Sequence, residues 1–263
     1  MESMLIIKNI LKKIKIHPIF FFFAFISAFT GLFKEFLVFS SLIFFHESGH
    51  IITSIFFNWK IDSINFYPYG GMIKFNEKIN KPISEEVIIT ISGLLFQLIY
   101  YFIIVMLYNS YKISDYTFIL FKNYHYSIFF FNLIPIYPLD GIKLINLLLC
   151  KNFSFNFSHI LSIIISYIFI IIFMIFSYTN SLSMNTLLMI SLLINKVIEE
   201  HKQHKYYCNK FIFERYLYKF NFRKTKIIDN QNLNNMFRDK KHIFKYKNEY
   251  ITENSLLKKK FKR

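Results

Sequence analysis

Residues 44–52 read Phe44-Phe45-His46-Glu47-Ser48-Gly49-His50-Ile51-Ile52, within an almost wholly apolar run from Phe36 to Phe57. A run of that length is a candidate membrane helix, since a span takes about 20 mostly apolar residues. Ionisable groups inside such a helix are costly to hold in lipid and therefore mark function. Positions i and i+4 share one helix face, so His46 and His50 can ligate one metal ion between them. Glu47, lying between them in sequence, has the chemistry of a general base beside that metal. A purely structural histidine pair would leave Glu47 without a role.

Working outward, five more apolar runs qualify as spans: Pro18 to Phe33, Glu85 to Tyr108, Tyr124 to Leu149, Phe157 to Tyr178 and the short Met184 to Val197. The expected fold is an α-helical polytopic membrane protein with about six transmembrane helices. Composition agrees: 54% of residues are hydrophobic, with 35 Phe and 18 Tyr, which excludes a disordered chain and argues against a soluble domain. The net charge of +16 would fit a nucleic-acid binder until it is divided along the chain. Residues 1–16 carry +3, residues 17–200 carry zero and residues 201–263 carry +13. A neutral apolar body with basic ends is the mark of a multi-pass protein of the cell membrane with both termini in the cytoplasm. No nucleic-acid partner is expected; the bilayer is the partner. The basic approach to the first run, without an Ala-x-Ala-like site, reads as an anchor and not a cleaved signal. Cys150 and Cys208 show no pairing or metal spacing and read as free thiols in a reducing compartment.

Three regions follow: a basic cytosolic N-terminus (1–17), a six-helix domain (18–199) and a basic cytosolic tail (200–263). Within the second, residues 58–84 alternate apolar and polar residues around Pro68-Tyr69-Gly70-Gly71, which predicts a short membrane-associated β-hairpin. The tail reads as a small α+β unit, with strands at Ile227–Asp229 and His242–Tyr246 and helices at Leu233–Phe237 and Leu256–Phe261.

A catalytic zinc takes three protein ligands and keeps a fourth position open. The one other acid well inside an expected span is Asp140, in Asn132-Leu133-Ile134-Pro135-Ile136-Tyr137-Pro138-Leu139-Asp140-Gly141. The prolines and glycine interrupt the helix there, and unwound backbone at membrane depth belongs where protein or water faces it. Asp140 read instead as a helix cap is the bland alternative. Asn132 offers hydrogen bonds to a substrate backbone or a developing oxyanion, or a structural bond. His17, His125, His159 and His242 read as ordinary, and His201 and His204, three apart, as at most a weak metal pair.

His46-Glu47-Ser48-Gly49-His50 followed by Asn132-x-x-Pro135-x-x-Pro138-Leu139-Asp140-Gly141 resembles the site-2 protease family of intramembrane zinc metalloproteases. The resemblance implies one Zn²⁺ held by His46, His50 and Asp140, with Glu47 as catalytic base and Asn132 as the active-site asparagine. Tyr67, Gly70 and Gly71 are similar to a Pro-x-Gly-Gly turn of relatives and are assigned to substrate binding, together with Pro135. Residues 51–139 leave no room for a PDZ domain. Phe131–Lys143 is especially similar to the stage IV sporulation protein FB subgroup, and the tail over Leu233–Lys247 and Glu253–Phe261 is similar to it more weakly. That likeness implies cleavage of a membrane-associated pro-sigma factor and inhibitory membrane protein partners. Ser92-Gly93-Leu94-Leu95-Phe96-Gln97 departs from the family's Gly-Pro and Asn, and Ile142 from a second Gly after Asp-Gly. The tail is much shorter than a full pair of CBS motifs, a truncated unit at most. Two other functions fit the residues: a PDZ-less site-2 protease acting on another membrane regulator or a remnant signal peptide, and a non-catalytic metal-binding membrane protein.

Overall fold

Proline at the start of an apolar run and glycine just past its end are how this chain brackets its first helix. In the computed structural model, α1 (Pro18–Phe29) begins on Pro18 after His17, whose ring accepts from the Ile19 amide, and stops at Thr30 before Gly31 at φ +77°. Both placements follow from the missing proline N–H and the conformational freedom of glycine. The structure describes residues 13–67, 70–179, 183–246 and 249–261. Lys8 and Lys12 of the basic N-terminus and Pro68-Tyr69 of the expected turn lie outside them.

Among the described residues, three helices are long and apolar enough to cross a membrane: α2 (Phe33–Phe56), α3 (Ile83–Asn109) and, later in the chain, α6 (Phe155–Thr179). They fall on three of the six expected spans; α1, at 12 residues, is a shorter apolar helix. Phe25 and Phe29 of α1, Phe102 and Met106 of α3, and Ile172 and Phe176 of α6 are exposed. Large apolar side chains on the outer faces of apolar helices suit lipid and not water. The run from Tyr124 to Leu149 is divided. Helix α4 (Asp115–Leu133) ends, an irregular stretch carries Pro135 and Pro138, and α5 (Asp140–Asn152) begins on Asp140. Proline supplies no amide to a continuing helix, which is why the break falls there. The run from Met184 opens α7 (Met184–Leu217), 34 residues long, which passes through residue 200 without interruption.

The described chain forms two compact units. The first runs to Glu77 and resumes at Ile88–Asn132. It holds a three-stranded sheet, β1 (Ile14–Ile16), β2 (Ile61–Tyr67) and β3 (Gly70–Phe75), in that order. The expected hairpin is the antiparallel β2–β3 pair, and β1 adds to it in parallel. Ile61 pairs with Phe75 and Ser63 with Lys74, so Asp62 is an extra residue on β2. That bulge brings Ile61 into one buried cluster with Ile64 and Phe66 despite the odd spacing.

The second unit is Lys78–Val87 with Leu133–Arg263. Beyond α7 lie β4 (Lys224–Ile228), β5 (Lys240–Tyr246), β6 (Glu249–Thr252) and α8 (Glu253–Phe261), with β4 parallel and β6 antiparallel to the central β5. Leu233–Phe237, expected as a helix, is only a 3-10 turn over Leu233–Asn235. The side chains of Asn230 and Asn232 accept from the amides two residues on and favour a turn over a helix. Met236, Phe244, Leu256 and Leu257 share one core with Phe211 and Ile212 of α7 and Leu147 of α5.

Buried charges tie this core together, and each is paired. Arg215 meets Glu253 at 3.0 Å and Asn80 at 2.7 Å. Arg238 meets Glu86 at 2.8 Å, and Asp239 accepts from the Ile83 amide at the start of α3 at 2.8 Å. His242 donates from Nδ1 to Glu253 and accepts at Nε2 from the Phe237 amide at 2.9 Å. Burial holds His242 below the usual histidine range. Burial alone would raise Glu253, but the His242 hydrogen bond and the Arg215 charge outweigh it and hold the carboxyl below its usual value. Both groups therefore bind protons more readily once unfolded, so stability falls as pH drops below the ordinary histidine value and again through the carboxylate range. The tail should melt at a lower temperature at pH 5.5 than at pH 7.5, followed by protease resistance on heating. His242→Gln should flatten that difference between the two pH values.

Candidate metal centre

One turn of α2 separates His46 from His50, and their rings converge. The two Nε2 atoms lie 3.1 Å apart, and both side chains are buried. What each ring does with its other nitrogen decides what Nε2 can be. His50 Nδ1 lies 2.7 Å from the Ile89 carbonyl oxygen, and His46 Nδ1 lies 3.3 Å from Gln97 Oε1. Both partners accept, so both Nδ1 atoms carry the proton and both Nε2 atoms present lone pairs. Facing lone pairs repel unless a cation lies between them. Two ligands of a tetrahedral zinc, each at about 2.0–2.1 Å from the metal, stand about 3.3 Å apart. The pair therefore fits zinc, and its hydrogen-bonded Nδ1 atoms have the outer partners that zinc-binding histidines carry.

α3 builds the back of this site. Ile89, Gly93 and Gln97 recur every four residues and so line one face. A side chain at Gly93 would collide with His50 Nε2 and lie 2.8 Å from His46 Nε2, so glycine keeps open the place where the two rings meet. Gly49 of α2 lies against the Ser92 backbone, and Thr53 bonds Ser92 across the helices at 2.8 Å. Small residues at such a crossing let membrane helices approach closely. Sequence reading missed Ile89, Gly93 and Gln97 as site builders. The one available signal was the fourfold spacing on a span facing the His-Glu-x-x-His helix.

Glu47 is half-buried, and β3 runs along it: a side chain at Gly71 would collide with the Glu47 carboxylate arm. In the first unit His46 thus meets His50, and Glu47 meets Gly71. Gly70 has nothing within 4 Å of the place a side chain would take, and Tyr67 holds its ring 5.1 Å from that of His17, tilted by 33°. Asn132 stands one residue before the end of α4 and donates from Nδ2 to its own helix at Ile128, 3.1 Å away.

In the second unit, Asp140 is the first residue of α5 and is buried, with Lys143 Nζ 2.9 Å from its carboxylate. Gly141 packs against the Leu133 carbonyl, Pro135 is buried, and Ile142, at the family's second-glycine position, is fully buried. His159 and His204 meet at 2.8 Å, with Glu200 and Asn156 on their outer nitrogens. Among the described residues, neither His201 nor His204 belongs to a group of three metal-capable side chains.

Residues 34–127 match the model for Peptidase family M50. The chain is 32% identical over 209 residues to stage IV sporulation protein FB of Bacillus subtilis (strain 168), covering 79% of this chain and 73% of that protein. Its fold is similar to that of the site-2 protease from Methanocaldococcus jannaschii, with a TM-score of 0.56 at 22% identity over 71% of this chain and 89% of that one. Two buried imidazoles aimed at one point from an apolar helix, with a carboxylate beside them, are what that family's chemistry requires, and the chain belongs to peptidase family M50, the membrane-embedded metalloproteases of the site-2 type.

Proposed function

We propose that this chain is a zinc endopeptidase that cleaves a membrane-associated precursor, a pro-sigma factor during sporulation. The observation that carries the reading is the pair of Nε2 lone pairs 3.1 Å apart beside Glu47. His46, His50 and Asp140 are the proposed ligands of one Zn²⁺. Asp140 is supported by its burial and its Leu139-Asp140-Gly141 setting. When bound, zinc supplies Lewis acidity that polarises a carbonyl oxygen and lowers the pKa of water. Glu47 takes the proton of the attacking water and returns it to the leaving amine. Asn132 holds the substrate main chain, and Pro135 borders it. The sporulation assignment is supported by the sequence likeness to the Bacillus protein. Inhibitory membrane proteins are its proposed regulators. The neutral body with basic ends supports a cell-membrane protein with both termini in the cytoplasm.

A helical substrate hides its peptide bonds and must be extended before cleavage. β3 is an edge of its sheet, so a substrate strand can add to it, with Tyr67, Gly70 and Gly71 along its path. Co-expression of the chain with candidate precursors tests both ideas. A chelator should stop cleavage of the purified system, and zinc should restore it. A pro-sigma factor left intact while a remnant signal peptide or another membrane regulator is cut would sink the sporulation assignment. In the same assay Gly71→Val should lower cleavage at least about 100-fold, because it displaces Glu47. Prolines placed one at a time around the scissile bond should slow cleavage at the positions whose amides pair with β3; indifference to all of them removes strand addition.

A further inference from the structure

Gln97 is the most deeply enclosed polar side chain of α3, with no exposed surface, and nothing in the general-base chemistry of Glu47 calls for it. Its amide bridges two groups. Nε2 donates to the main-chain carbonyl of His125 on α4 at 3.0 Å and lies 3.5 Å from that residue's ring Nδ1, and Oε1 lies 3.3 Å from His46 Nδ1. A backbone carbonyl has no alternative protonation state and accepts only, so it decides which way the amide points. Turning the amide over would set oxygen against oxygen at His125. The end that faces His46 is therefore the acceptor.

From this we infer that Gln97 is a positioning residue: it fixes the proton of His46 on Nδ1 and so presents Nε2 as a metal ligand. The inference rests on the zinc-peptidase reading and deepens it.

The test is zinc affinity of the full-length chain in detergent, measured by competition with a chromophoric chelator, and the absorption spectrum of the Co²⁺-loaded protein. Gln97→Met keeps the volume and removes the acceptor; it should weaken zinc binding by about 10–100-fold and shift the cobalt bands. Gln97→Glu restores an acceptor and should recover most of that loss. His125→Phe keeps the main-chain carbonyl and should bind as wild type. If Gln97→Met does not fold, Gln97→Asn, too short to span both partners, should show the loss. Wild-type affinity in Gln97→Met or, failing that, Gln97→Asn overturns the role, as does a Gln97→Glu protein no better than Gln97→Met. His46→Ala separates the two levels. A wild type that holds zinc no better than His46→Ala removes the underlying reading. Tight wild-type binding with weak His46→Ala binding and an unchanged Gln97 variant removes only the positioning role.

Discussion

Glu47→Gln should abolish detectable cleavage while the purified chain keeps its fold and its metal. Glutamine matches the size and shape of the side chain and sits equally well beside Gly71. It cannot take a proton at neutral pH, and loss of a positioned general base lowers the rate by at least about 10²-fold, more where the same group also serves as the acid. The metal should stay, because Gln97 and Ile89 hold the outer nitrogens of His46 and His50. Metal per chain, measured by elemental analysis beside the cleavage assay, separates this from the competing idea. A non-catalytic metal-binding protein needs no proton carrier, so full function in Glu47→Gln would support it. Loss of cleavage together with loss of zinc would move Glu47 from chemistry to architecture.

The parts of this protein that sequence reading reached share one property: their signal is carried by residue identity. His46, Glu47 and His50 stand out because ionisable residues are rare in apolar runs, and Asp140 because so few acids lie inside one. The hairpin was legible from period-two alternation around Gly70-Gly71. The missed parts have no such signature. The acceptor for His50 is the carbonyl of Ile89, and any residue at that position would supply it. Gly93 works by lacking a side chain, which becomes visible only once the two imidazoles are seen against it. β1 is three residues long and hidden in a basic segment whose lysines spoke for topology. α7 was divided at residue 200 because polarity changes there. Polarity marks where a helix leaves an apolar setting, whereas a helix ends where caps and backbone bonds end it; here that is Tyr218.

Gly93→Ala should separate stability from metal binding more sharply than any other single change. Alanine favours a helix interior over glycine by about 1 kcal/mol, so α3 itself gains. The added methyl, however, enters the space where the two imidazoles converge, colliding with His50 Nε2 and standing 2.8 Å from His46 Nε2. His50 cannot swing aside without giving up its 2.7 Å bond to the Ile89 carbonyl, and a displacement near 1 Å at a reacting centre costs on the order of 10²-fold in rate. Losing that bond offsets the helix gain, so the metal-free variant should melt near or below the wild-type temperature, while zinc affinity and cleavage both fall by about 100-fold or more. Gly49→Ala is the contrast, since its methyl meets the Ser92 backbone of the neighbouring helix, where nothing can rotate away. That variant should lose melting temperature first and metal only as a consequence. If Gly93→Ala holds zinc as the wild type does, the two rings do not meet their metal on the face that Gly93 leaves open, and the centre must be rebuilt from other atoms.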